Sequence, residues 1–197
     1  MPQALGQLLL LTLLASSVRA EEISPHAFQK LVERTRGAVV RVTSRPEGTA
    51  VIIGVHGELL APAQLVKGKT LVVELKGQPF IATLREKDAA LGLALLSLDA
   101  GDYPAATVGT AAGIVKGSFL LGLAFDRKGK LATSTGTFDR ESRAKDGAVR
   151  LRTDVAGPIG TALFNARGEL VAIHAGARLS TVPIDAVRAR FAPRPAP

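Results

Sequence analysis

The chain has 197 residues, 47% of them hydrophobic and 21% charged, with no cysteine, no tryptophan and a single tyrosine. This length and composition suit one well-buried domain built on aliphatic packing, and they exclude a disordered chain, a disulfide framework and lipidation on a cysteine. With 25 Lys and Arg against 17 Asp and Glu the formal charge is +8, yet the scarcity of aromatic rings argues against specific nucleic-acid binding, where bases stack on side chains.

In chain order, the first twenty residues read as a secretory signal: the apolar run from Leu8 to Leu14 leads to Val18-Arg19-Ala20, with cleavage expected after Ala20. The run is too short to span a bilayer. Cleavage would leave Glu21 as the first residue, lower the net charge to +7 through loss of Arg19, and place the mature chain in the bacterial periplasm or outside the cell, a setting compatible with the lack of cysteine. Residues 21–191 then read as the folded domain. Ser24 and Pro25 are an N-cap and a first helical residue for Phe28, Leu31 and Val32, which share one face at i, i+3 and i+4.

Beyond Gly37 the texture becomes short runs of Val, Ile, Leu and Thr, broken by Gly, Pro or charged pairs about every ten residues. Strands are predicted near Ala38–Ser44, Thr49–Val55, Glu58–Pro62, Thr70–Leu75, Pro79–Lys87 and Leu93–Leu98. After the connector Gly101-Asp102-Tyr103-Pro104, a second set falls near Ser118–Ala124, Lys130–Asp139, Val149–Asp154, Thr161–Asn165, Glu169–Ala175 and Ser180–Pro183. Two runs of six predict an all-β fold, two packed six-stranded antiparallel barrels, followed by a short helix over Ile184–Phe191 and a disordered Ala/Pro/Arg tail over 192–197.

No cofactor or metal is predicted. His26, His56 and His174 are isolated, with no His-x-His, Glu-x-x-His or cysteine partner, and Ser118, Ser134, Ser142 and Ser180 stand at no recognised nucleophile–base spacing from them. The glycines from Gly109 to Gly113 and Gly117 to Gly122 lack the ending of a phosphate loop and read as bends. The basic residues Arg140, Arg143, Lys145, Arg150, Arg152, Arg178, Arg188, Arg190 and Arg194 read as solvated surface charge, with at most weak binding of anionic surfaces.

Several segments, taken in order, resemble the trypsin-like fold of HtrA-type bacterial serine proteases. Gly48-Thr49-Ala50-Val51-Ile52-Ile53 resembles the family's Gly-Ser-Gly-Val-Ile-Ile strand. His56-Gly57-Glu58-Leu59-Leu60-Ala61-Pro62-Ala63-Gln64 stands where the family has a segment ending in its catalytic histidine. Asp88 to Leu96 is similar to the segment holding Thr-Asp-Ile-Ala-Leu-Leu, and Thr153-Asp154 with Gly157 to Asn165 is similar to Thr-Asp followed by Gly-Asn-Ser-Gly-Gly-Pro-Leu-Val-Asn. Gly168 to Ile173 and Val182-Pro183-Ile184 continue the resemblance, which covers residues 28 to 187.

The resemblance places Gln64, Gly92 and Ile159 at the positions of the family's histidine, aspartate and serine. A serine protease needs a hydroxyl to attack, an imidazole to take its proton, a carboxylate to orient the imidazole, and backbone amides for the oxyanion. Ile159 has no nucleophilic atom, Gln64 has no base, Gly92 has no side chain, and the stretch from Asp154 to Gly157 is about three residues shorter than the family's oxyanion loop. The resemblance therefore implies a non-catalytic homologue that binds a protein or an extended peptide in the interbarrel cleft. The competing readings are a hydrolase with an unconventional site, using His174 or a lysine near the cleft, and a basic module for anionic polymer or lipid.

Overall fold

A computed structural model describes residues 23–144, 147–176 and 180–191. The predicted signal with its cleavage point at Ala20, the 192–197 tail, and the basic residues Lys145, Arg178 and Arg194 lie outside the described residues.

Helix α1 (Pro25–Thr35) starts where the Ser24 hydroxyl accepts a hydrogen bond from the Ala27 N–H at 3.3 Å, with Pro25 at a first-turn position that needs no donor. Six strands follow: β1 (Val39–Val42), β2 (Gly48–Ile52), β3 (Glu58–Pro62), β4 (Thr70–Leu75), β5 (Gln78–Asp88) and β6 (Leu93–Ser97). They form a closed antiparallel barrel in the order β1-β2-β3-β6-β5-β4, with Val42 of β1 paired to Val73 of β4. A linker carrying the short strand β7 (Thr107–Val108) leads to β8 (Phe119–Phe125), β9 (Leu131–Arg143), β10 (Val149–Thr153), β11 (Ala162–Asn165), β12 (Glu169–Gly176) and β13 (Ser180–Pro183). These six make the second antiparallel barrel, in which β11 pairs with both β8 and β12 and so closes the sheet. Helix α2 (Ile184–Phe191) ends the described chain.

Strand side chains alternate between two faces, and both faces are buried along most of β1, β2, β3, β6, β8, β11, β12 and β13, while β4, β5, β9 and β10 leave one face partly exposed. Val40, Ile52, Leu59 and Val73 fill the first barrel, while Leu120, Leu151, Leu163 and Val171 fill the second. The alternate residues, Val39, Val51, Leu60 and Leu93 from the first barrel and Leu121, Leu123, Phe164 and Ile173 from the second, form one layer that also takes Leu31 of α1 and Ile184 and Val187 of α2. Double-sided burial explains why the strands read as continuous apolar runs rather than as an alternation.

The two-barrel fold and both helices stand as the sequence predicts, with strand ends shifted by a few residues. Two differences have physical causes. β9 continues past its expected stop to Arg143 because Arg140 to Arg143 pair with Arg152 to Val149 of β10, after a bulge at Asp139, while Arg140, Glu141 and Arg143 keep their side chains exposed. β7 has no periodic signal at all; it exists because Thr107 and Val108 pair in parallel with Glu169 and Leu170 of β12.

Phe164 is fully buried in the shared layer, so Phe164→Ala is expected to lower unfolding stability by about 3–5 kcal/mol. Val115, which is 62% exposed, serves as the control: Val115→Ala is expected within about 0.5 kcal/mol of the parent in the same urea titration.

Candidate functional site at the barrel junction

Gln64 sits in a 3-10 turn, Ala63–Leu65, that caps the end of β3, and its side chain is exposed. The turn is anchored by the Ala63 N–H, which donates to the Gly92 carbonyl at 2.8 Å. Gly92 closes a tight loop after β5: its N–H donates to the Asp88 carbonyl at 2.9 Å, and the Leu91 N–H donates to Asp88 Oδ1 at 2.7 Å. Arg190 of α2 forms an ion pair with Asp88. The Leu91 amide and then Arg190 hold the Asp88 carboxyl below its usual range despite its burial. Gly92 itself adopts φ +70°, and a Cβ there would lie 3.5 Å from the Ala175 Cβ.

Ile159 projects from the loop between β10 and β11. Thr161 ties that loop into a turn by donating its hydroxyl to the Pro158 carbonyl at 2.6 Å. The Gly160 N–H donates to the His174 carbonyl at 2.8 Å, and the His174 N–H to the Thr161 carbonyl at 2.9 Å, so β12 grips the loop from behind. Gly160 has φ +91°, and a Cβ at this position would fall 2.0 Å from the Thr49 carbonyl oxygen. The backbones of the two barrels meet here, and only glycine fits.

Gln64 and Ile159 line one cleft of about 350 Å³, with Leu65 and Phe125 among its apolar walls and Arg41, Glu47, Asp126 and Arg127 among its polar ones. Gly92 is not in the wall; it connects to the cleft through the Ala63 backbone. Arg41 and Glu47 form an ion pair at 2.9 Å. Asp126 Oδ1 accepts from the N–H groups of Lys128 at 2.8 Å and Lys130 at 2.9 Å, and the Lys130 amide is the main cause of its lowered pKa.

The histidines do not converge on this cleft. His26 and His56 are exposed, and His174 is buried in β12 with its Nε2 unpartnered and its pKa pushed down to about 4 by burial alone. Ser118, Ser134, Ser142 and Ser180 are absent from the cleft wall as well. Among the described residues, no three His, Asp or Glu side chains gather closely enough to hold a metal ion, and no helix is long and apolar enough to cross a membrane. Sequence reasoning missed Arg41, Glu47, Asp126 and Arg127, which lie far apart in the chain; the run Asp126-Arg127-Lys128-Gly129-Lys130, a charged hairpin tip, was the available signal.

The trypsin-like peptidase domain family matches residues 30–173, and the chain belongs to that family. Among solved structures, it is similar to the HtrA-type protease AlgW with a decapeptide (22% identity, TM-score 0.71, covering 82% of this chain and 66% of that one) and to AlgW with a tripeptide (27% identity, TM-score 0.70, 80% and 60%). It is also similar to the serine endoprotease from Yersinia pestis (21% identity, TM-score 0.71, 84% and 65%). The chain thus spans 60% to 66% of the length of those proteases. Its sequence has no significant match among curated proteins.

The buried imidazole of His174 gives a pH dependence whose sign follows from its shift. Its folded pKa of about 4 lies below the ordinary 6.5, so the unfolded chain takes up the proton first. Stability is then complete above about pH 6.5 and declines as the pH falls from there to about 4, by an amount on the order of 3 kcal/mol. Urea midpoints measured across this window should fall steeply for the parent chain and much less for His174→Leu, whose remaining decline near pH 4 comes from carboxylates such as Asp88.

Proposed function

We propose that this chain is a catalytically inactive trypsin-like peptidase homologue of the bacterial envelope that binds a protein or an extended peptide in the cleft between its barrels. The envelope location rests on the secretory signal expected over residues 1–20. One observation carries the reading of the site: among the described residues, the wall of the cleft contains no Ser, Thr, Cys, His or Lys. No hydroxyl, thiol or imidazole there can supply the serine or histidine of a triad, the carboxylates of Glu47 and Asp126 are engaged by Arg41 and by backbone amides, and losing nucleophile and base from a working triad reduces rate by about a million-fold. Gln64 and Ile159 share that space, and Gly92 stands behind it. Structures of similar fold hold a decapeptide or a tripeptide, which supports a peptide as the occupant. The alternative base, His174, is buried, absent from the cleft wall, and has a pKa of about 4, which makes it a poor proton acceptor near neutrality.

The test is labelling with a fluorophosphonate probe and incubation with casein. The parent chain is expected neither to label nor to cleave; turnover abolished by a single substitution would show an unconventional hydrolase instead. Gly92→Asp provides an internal check on the site's backbone, because an aspartate held at φ +70° is strained: the substitution should lower stability by about 1–2 kcal/mol in thermal unfolding.

A further inference from the structure

The cleft beside Ile159 has an unbalanced charge at its rim. Arg41, from β1, lays its guanidinium against the turn between β8 and β9, where a Cβ on Gly129 would fall 2.5 Å from Arg41 Nη1. The same turn supplies Arg127, Lys128 and Lys130, all exposed. Arg127 and Asp126 line the cleft itself. Lys128 and Lys130 lie near enough that, after the backbone amides of Lys130 and Lys128, their charges also help hold the Asp126 carboxyl below its usual range.

Four cations therefore gather around two carboxylates, and both carboxylates are engaged. Glu47 pairs with Arg41, and Asp126 accepts the two backbone N–H groups of its own turn. Among the described residues, no side-chain anion forms an ion pair with Arg127, Lys128 or Lys130. Clustered like charge opposes the compact state and attracts an anionic partner. The same wall carries the apolar side chains of Leu65, Phe125 and Ile159, so the surface offers more than charge.

We infer that the preferred occupant of the cleft is an extended peptide segment rich in Asp and Glu and carrying an apolar side chain. The apolar side chain packs among Leu65, Phe125 and Ile159, while the flanking carboxylates meet Arg127, Lys128 and Lys130. This inference rests on the peptide binding proposed above and adds the chemistry of the peptide.

Binding of labelled short peptides to the purified chain, followed by fluorescence anisotropy, tests it. The probes are a peptide alternating Glu with Leu and Val, its Gln counterpart, its Lys counterpart, and polyglutamate of the same length. At about 50 mM salt the Glu/Leu peptide should bind about tenfold more tightly than the Gln version, and the gap should close at about 500 mM salt. Charge reversal in Arg127→Glu/Lys128→Glu should erase the preference while leaving the unfolding midpoint unchanged; if that variant fails to fold, Arg127→Gln should still reduce the preference several-fold. Equal binding of the Glu and Gln peptides would overturn this inference alone. Polyglutamate binding as tightly as the mixed peptide would overturn it in favour of a surface for anionic polymer. If no peptide binds at all, the peptide-binding function falls and this inference with it.

Discussion

Strands with two buried faces need two apolar surfaces to cover them. In this chain one set of faces fills each barrel, and the other set meets in a single layer between the barrels, sealed by Leu31 of α1 and by Ile184 and Val187 of α2. The layer brings the two backbones so close that Gly160 touches the Thr49 carbonyl, with no room for a Cβ. That contact fixes the loop carrying Ile159, and the Ala63–Gly92 hydrogen bond fixes the turn carrying Gln64. The cleft is therefore a consequence of how the barrels pack.

Packing and chemistry are separable here. Gln64 and Ile159 belong to none of the three apolar clusters, so their identities can change without disturbing the layer that holds the fold together. Asp88 with Arg190, and Gly160 with the His174 backbone, shape the loops around the cleft without lining it. Function must therefore be argued from the groups in the cleft rather than from the barrels.

Much of the architecture was legible in the sequence because its signals are local. Pro and Gly punctuation bounded β3 and β4 at their observed ends, and Ser24-Pro25 marked the start of α1. β7 was invisible because two residues carry no period; only β12 makes them a strand. The site divided in the same way. Gln64 and Ile159 were picked out by ordered motifs on either side of them, and they do share a cleft. Arg41 and the turn from Asp126 to Lys130 were not, because nothing in the spacing of residues so distant in sequence says that one guanidinium will rest on the other's glycine.

The proposed function requires that the cleft hold a peptide and leave it intact. Hydrogen exchange of the chain with and without an acidic-apolar peptide, read by mass spectrometry together with the mass of the recovered peptide, addresses both halves at once. Slowed exchange is expected in the segments around Gln64, Asp126 and Ile159, with the peptide recovered at its original mass. Shortened peptide, or protection confined to segments away from the barrel junction, would contradict it.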